Sequence, residues 1–303
     1  MYIYHGLKAE LKRQGLSMKE LGKKAGISSR TLAKISKNQK VSAGVLRRMG
    51  GYLSVNVEDL YQIVPDNPVL RALQEEKAHH VSGGFYHELQ VRMTYNSNHM
   101  EGSHLNEEET RLIFETNTIH TEGGVSVDDV LETVHHFRAI DYVIDHTEDP
   151  LTEDIIKTLH LILKRDTADS RLSWFAVGDY KKRSNMVGGR NTTSPERVHE
   201  EMVKLLREYE QLSSVTLEDI VCFHVRFERI HPFQDGNGRV GRLIALKECL
   251  AHRIVPFLIE DRKKDFYYRG LYEWDRERGY LLDTCRDGQD TVRRLLKYFE
   301  IEE

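Results

Sequence analysis

The sequence predicts a mainly α protein in two parts, a small helical domain followed by a larger helical body, and three observations carry that prediction. Apolar residues recur three and four apart through most of the chain, the period of helices that bury one face. Charge divides unevenly: residues 1–64 hold 12 Lys/Arg against 4 Asp/Glu, and the remaining 239 residues hold 32 against 44, so a basic module leads an acidic body. Between them Ile63-Val64-Pro65-Asp66-Asn67-Pro68 carries two of the six prolines, which restrict helix on either side and place the boundary near residue 66. A length of 303 residues also exceeds the usual span of one hydrophobic core.

Composition narrows the class further. Hydrophobic residues at 39% allow ordinary globular cores. Cys222, Cys249 and Cys285 are odd in number and far apart, with no CxxC pair, so they read as buried reduced thiols of a cytoplasmic protein. The N-terminus lacks the apolar stretch of a signal peptide, and no later run approaches the roughly 20 apolar residues that span a bilayer. A soluble protein away from membranes is expected.

In the first domain, Leu7 and Leu11, Leu21 and Ala25, Leu32 and Ile35, then Val45, Leu46 and Met49 predict four or five short helices. Ser17 is placed to cap a helix starting at Met18, Gly26 to turn the corner, and Ser28 to cap the next helix. Helix, glycine turn and helix is the pattern of the helix-turn-helix. The segment "LSMKELGKKAGISSRTLAKISKNQKVSAGVLRRMGGYLSVNVEDLY" resembles the Cro/repressor-like (XRE) helix-turn-helix family across residues 1–66. That resemblance implies a DNA duplex as partner, with Ser28, Ser29, Arg30 and Thr31 near base edges and Lys34, Lys37 and Lys40 facing phosphates. It also favours a homodimer, since paired half-sites demand a two-fold axis. Met18 departs from the family, which often has Gln there.

The body at 67–303 follows helical spacing: Val130, Val134, Phe137, Ile140 and Ile144; Ile155, Leu159 and Ile162; Val203, Leu206 and Tyr209; Ile220, Phe223 and Phe227. One exception is a hairpin predicted at about 175–189, with Phe175–Tyr180 returning as Asn185–Gly189. It would serve as a docking flap. His79, His80, His135, His136, His160 and His224 have no partner at ligand spacing and read as packing or surface residues. The acidic runs at 107–109 and 300–303 read as solvated.

The densest chemistry lies in "HPFQDGNGRVGR", residues 231–242. A plain turn can use the proline and glycines, but has no need of a following pair of arginines. Glycines between two helices let backbone N–H groups converge on an anion at a helix N-terminus. Arg239 and Arg242, three apart, can share one side of the first turn and meet a polyphosphate. Asp235 supplies a hard oxygen of the kind Mg²⁺ takes, and His231 an imidazole able to act as a base near neutrality.

These residues satisfy HxFx(D/E)GNGRxxR, and over about residues 70–300 the chain resembles the Fic family of nucleotidyltransferases, a helical bundle with a short hairpin flap. The resemblance implies AMP transfer from ATP to a Ser, Thr or Tyr hydroxyl of a target protein or of the chain itself. His231 would take the hydroxyl proton and Asp235 hold Mg²⁺ on the phosphates. Gly236, Asn237, Gly238 and Arg239 would stabilise phosphoryl oxygens, and Arg242 would clamp the γ-phosphate. Related phosphotransferases carry Lys where this chain has Gly238. "DFYYRGLYEWD" resembles the region that encloses the base, with Tyr267 and Tyr268 at its aromatic positions and Asp275 where some relatives have Asn.

A second element, Ser97-Asn98-His99-Met100-Glu101-Gly102, fits the family's inhibitory pattern [S/T]xxxE[G/N]. It implies an inhibitory helix at about 94–104 in which Ser97 and Glu101 restrain the site, Glu101 pairing in bidentate fashion with Arg242. In some relatives the same glutamate supports removal of AMP. The expected protein is thus an autoinhibited AMP transferase with a DNA-binding module that tunes its own transcription. The alternative is a transcriptional regulator that uses its second domain to sense nucleotide or to oligomerise.

Overall fold

The computed structural model describes residues 2–63, 67–120 and 124–303, and the chain divides into two compact units after residue 66. The predicted linker at 64–66 lies outside the described residues. In the first unit, strand β1 (Tyr2–Ile3) precedes helices α1 (His5–Arg13), α2 (Met18–Lys24), α3 (Ser29–Ser36) and α4 (Ala43–Leu53). A 3₁₀ turn at Val57–Leu60 and strand β2 (Gln62–Ile63) complete it.

Local sequence sets these boundaries. Ser17 starts α2 with a capping box, its Oγ accepting from the Glu20 amide at 3.2 Å while Glu20 accepts from the Ser17 amide at 2.8 Å. Gly26 turns the chain at φ +66°, and the Ser28 Oγ accepts from the Thr31 amide to open α3. Leu7, Leu21, Ile35 and Met49 are fully buried in one core. The pairing of β1 with β2, antiparallel with Tyr2 opposite Ile63, was not expected. Two residues per strand are too few to show an alternation.

The second unit contains α5 (Pro68–His79), α6 (Phe85–Met100), α7 (Glu107–Thr116), α8 (Val127–Asp145) and α9 (Glu153–Lys164). A hairpin, β3 (Met186–Val187) and β4 (Arg190–Asn191), leads to α10 (Pro195–Glu210), α11 (Leu217–Ile230), α12 (Asn237–Ala251), α13 (Lys264–Glu273) and α14 (Gly279–Tyr298). Thirteen of the fifteen residues of α12 are buried, which makes it the axis of the bundle. Helices α6, α8, α9 and α11 pack around it. Leu243, Leu246 and Leu250 of α12 join Phe223 and Phe227 of α11 and Leu159 of α9 in the main core. No helix among the described residues is long and apolar enough to cross a membrane.

The hairpin differs from its expected span of 175–189. Its strands are 186–187 and 190–191, and Gly188 and Gly189, read above as the end of a returning strand, form the turn at φ +55° and +77°. Two successive left-handed residues suit a two-residue hairpin loop, which explains the glycine pair. The helix expected at 94–104 is likewise the end of the longer α6, which stops at Met100 with Glu101 as its C-cap residue, so 102–104 lie beyond it.

Three buried imidazoles, His136, His160 and His224, have pKa values pushed down to about 3 chiefly by burial. Each stays neutral when folded but takes up a proton near pH 6.5 once unfolded, so acidification below 6.5 favours unfolding. Each should add a slope of up to about 1.4 kcal/mol per pH unit between pH 6.5 and 4. Urea midpoints measured across that range should fall as pH falls, and His136→Asn should flatten the decline.

Candidate active site

The 231–242 segment joins the end of α11 to the start of α12. His231 ends α11 in the left-handed conformation at φ +51°, which lifts its ring out of the helix. Its Nδ1 lies 3.3 Å from the Glu228 carbonyl, a geometry that suits an Nδ1–H donor and leaves Nε2 with its lone pair. Burial first, then the nearby Lys181 ammonium, pushes its pKa down to about 4, so the imidazole is neutral at physiological pH.

The loop beyond it is held from inside. Phe233 is fully buried, stacked on His160 with ring centroids 4.0 Å apart and planes 4° from parallel. His160 Nδ1 in turn accepts from the Gly178 amide at 2.9 Å. The Asn237 amide closes the loop on itself: Oδ1 accepts from the Phe233 N–H at 2.8 Å and Nδ2 donates to the Phe233 carbonyl at 2.9 Å. Its side chain thus shapes the loop through one donor and one acceptor, and the second Nδ2 hydrogen is left over. Gly236 caps α12 at φ +79°, a conformation costly for a side chain bearing Cβ.

Asp235 and Arg239 sit in a charge cluster that reaches beyond the motif. Lys164 Nζ, at the end of α9, lies 2.7 Å from Asp235, 2.6 Å from Glu132 and 3.1 Å from Asp169. Arg239 bonds Glu132 and lies 3.3 Å from Asp235. Burial raises the Asp235 carboxyl, but Arg239 and Lys164 outweigh it and hold the pKa at about 2. Asp235 keeps half its side-chain surface exposed, whereas Arg239 keeps 3%. Arg239 is thus a buried partner of carboxylates beside Asp235. One half-exposed carboxylate is the protein share of a typical Mg²⁺ site completed by phosphate and water, so Asp235 fits such a role. No group of three His, Cys, Asp or Glu residues among the described residues could hold a metal ion.

The Ser97–Gly102 element and the motif meet at Arg242. Its Nη2 donates to Glu101 Oε1 at 2.7 Å and to the Ser97 carbonyl at 3.0 Å, while Nε donates to Ser97 Oγ at 3.0 Å. The pair is monodentate, not bidentate: Glu101 meets Nη2 alone, and Ser97 takes Nε and the second Nη2 hydrogen. Arg242 Nη1 is buried without a hydrogen-bond partner. The Glu101 carboxylate also lies against the backbone of Gly238, where a Cβ would fall 2.2 Å from Oε1. It thus sits directly on the first turn of α12. Across from it, burial above all, and Glu101 secondarily, push the Glu228 carboxyl up to about 8, with Arg242 opposing.

The expected base-enclosing residues separate. Tyr267 is 1% exposed, packed with Trp274 and Leu281, and its hydroxyl lies 2.5 Å from His224 Nε2. It packs as a core residue, with its hydroxyl engaged. Tyr268 remains half-exposed, its hydroxyl donating to the Met100 carbonyl at 3.2 Å beside Glu101. Asp275 is committed to Arg229 through two contacts of 3.0 and 2.9 Å.

Glu132, Lys164, Lys181 and Glu228 were not legible as site residues. Lys181 is 3% exposed, its ammonium donating to Asn185 Oδ1 at 2.8 Å and Thr192 Oγ1 at 2.6 Å, on either side of the hairpin. In the first unit, Ser28, Ser29, Arg30 and Lys34 are exposed along α3 and Thr31 is half-buried. The hydroxyls of Ser28 and Thr31 are already paired at 2.9 Å.

Residues 150–249 match the Fic/DOC family, and residues 7–66 match the Cro/C1-type HTH DNA-binding domain. The protein adenylyltransferase Fic of Drosophila melanogaster is 25% identical over 183 residues, covering 58% of this chain and 36% of that protein. The chain therefore spans about a third of the length of that curated relative. A Fido domain-containing protein of Dictyostelium discoideum is 33% identical over 72 residues, 22% of this chain and 50% of that one. Among solved structures, a Fic domain containing signaling protein from Bacteroides thetaiotaomicron superposes with a TM-score of 0.59 at 25% identity, over 77% of this chain and 94% of its own. Fic-1 of C. elegans superposes with a TM-score of 0.57 at 16% identity, over 97% and 87%, a likeness of fold. The chain carries a Fic domain behind an N-terminal Cro/C1-type helix-turn-helix domain.

Proposed function

We propose that the chain is a protein AMP transferase held in check by its own α6, with a DNA-binding module that tunes its transcription. The observation that carries the proposal is the contact of Arg242 with Glu101 and Ser97 beside an intact His231 and Asp235. A neutral imidazole anchored through Nδ1 can take the proton of a Ser, Thr or Tyr hydroxyl at Nε2 as that oxygen attacks the α-phosphorus. The bond to pyrophosphate breaks, and AMP is left esterified to the target. Gly236 and Gly238 let the loop and the start of α12 approach the phosphates, with the helix N-terminus favouring their charge. Mg²⁺, held by Asp235, would neutralise charge on the phosphates and the departing pyrophosphate. Arg242, when released, would meet the γ-phosphate.

The hairpin supports docking of a target segment. Met186 and Val187 are exposed apolar residues on a two-stranded edge, open to an added strand bonded through its main chain. Glu101, whose charge acts on His231, also suits the reverse reaction, water replacing AMP on the modified hydroxyl. The first test is incubation of the native chain, Glu101→Gly and His231→Ala with cell lysate, Mg²⁺ and ATP labelled on the α-phosphate. Label that depends on His231 supports the transferase, and its absence from every protein favours the alternative of a nucleotide-sensing regulator.

For the first unit we propose that Ser29, Arg30 and Lys34 on α3 face duplex DNA, with Ser28 and Thr31 chiefly shaping the helix start. Paired half-sites would make the bound form a dimer. The full chain should bind a duplex from its own promoter with an affinity whose logarithm falls linearly against the logarithm of salt. Removing Lys34 should lower that slope by about 0.9 if it meets one phosphate. Salt-independent binding, or none, would rule out the assignment.

A further inference from the structure

We propose that Lys164 is a tethered cation that makes metal loading at Asp235 depend on nucleotide, and so acts as a positioning residue for the site. The inference rests on the reading of Asp235 as the metal carboxylate. Lys164 is 2% exposed, and its ammonium faces three carboxylates from three places: Glu132 on α8, Asp169 beyond α9 and Asp235 in the motif loop. Three N–H donors meet three acceptor groups, so the ammonium is saturated. Its stem runs along the loop, with Cγ and Cδ 3.6 Å from where a Cβ on Gly236 would stand.

With Arg239 also on Glu132 and Asp235, the cluster sets two fixed cations against three carboxylates. A divalent ion approaching Asp235 alone would leave the cluster net positive, with Lys164 2.7 Å from the oxygen it needs. A polyphosphate brings the negative charge that offsets the incoming metal. Lys164 thus holds the Asp235 oxygen that the metal would need.

The test uses Mn²⁺ as the probe on the nucleotide-free full chain, followed by the signal of free Mn²⁺ in electron paramagnetic resonance. The native chain should bind Mn²⁺ weakly alone and more tightly with a non-hydrolysable ATP analogue. Lys164→Met should tighten nucleotide-free Mn²⁺ binding roughly ten- to a hundredfold, the range over which outer partners tune metal sites. Adding Asp235→Asn should cancel the gain. Equal affinity in the native chain and Lys164→Met, or a gain that survives Asp235→Asn, overturns the proposal. If three uncompensated carboxylates prevent folding, Lys164→Met/Asp169→Asn removes one of them and is held to the same outcomes. The transferase reading fails separately: it is lost if Glu101→Gly transfers no AMP, whatever Mn²⁺ does. If Glu101→Gly transfers AMP while Lys164→Met leaves Mn²⁺ binding unchanged, only the role of Lys164 is lost.

Discussion

Replacing Glu101 with Gly is expected to raise the rate of AMP transfer roughly ten- to a hundredfold, the equivalent of about 1.5–3 kcal/mol for one hydrogen bond between charged groups. The geometry of the pair sets that size. Arg242 is 5% exposed and Glu101 27%, so the pair is neither a screened surface bridge nor a fully desolvated one. Ser97 holds two further donors of the same guanidinium and keeps Arg242 in place when the carboxylate is removed. The substitution should therefore free Nη2 without collapsing the site. It also clears the space over Gly238, where the carboxylate now lies. Initial rates with α-labelled ATP measure the gain directly, and an unchanged rate would count against the brake.

His231→Ala in the Glu101→Gly background should lower transfer by about 10²–10⁴, the usual worth of a positioned general base. Nucleotide binding should change little, since the ring offers the phosphates no fixed charge. The pH dependence separates this role from a structural one. The pKa of His231 is pushed down to about 4 by burial and Lys181, so the base is deprotonated at all higher pH. Protonation as pH falls through about 4 removes the lone pair that accepts the hydroxyl proton. The acidic limb of kcat/KM, which reports the free enzyme, should thus lie near pH 4 rather than near 6.5. Lys181→Met should move that limb upward, because it removes a cation that opposes protonation of the ring.

Much of this was legible because the relevant residues signal locally. Ser17 with Glu20, Gly26 and Ser28 define the helix-turn-helix by caps and a turn, interactions that span only three or four residues. The motif at 231–242 packs its chemistry into one loop and one helical turn. The hairpin was misplaced because a glycine pair reads as easily as strand end or turn until φ is known. Glu132 and Lys164 escaped notice for a different reason. They lie on α8 and α9, at the edges of ordinary amphipathic patterns, and only packing against α12 brings them to Asp235. Position alone did not say which of two adjacent aromatics is open: Tyr267 is buried and Tyr268 takes the open side. The contact between Glu101 and Arg242 was foreseen, but its monodentate form, with Ser97 sharing the same guanidinium, is a matter of side-chain placement that spacing does not give.

The claim that Glu101 acts by occupying Arg242 is tested most directly by one set of initial rates. Transfer of AMP from α-labelled ATP is compared in the native chain, Glu101→Gly, Arg242→Ala and the double variant. The account predicts that Glu101→Gly accelerates transfer in the native background and gives no gain once Arg242 is Ala. An equal acceleration in both backgrounds would contradict it, since Glu101 would then restrain the site through its place over Gly238 and not through Arg242.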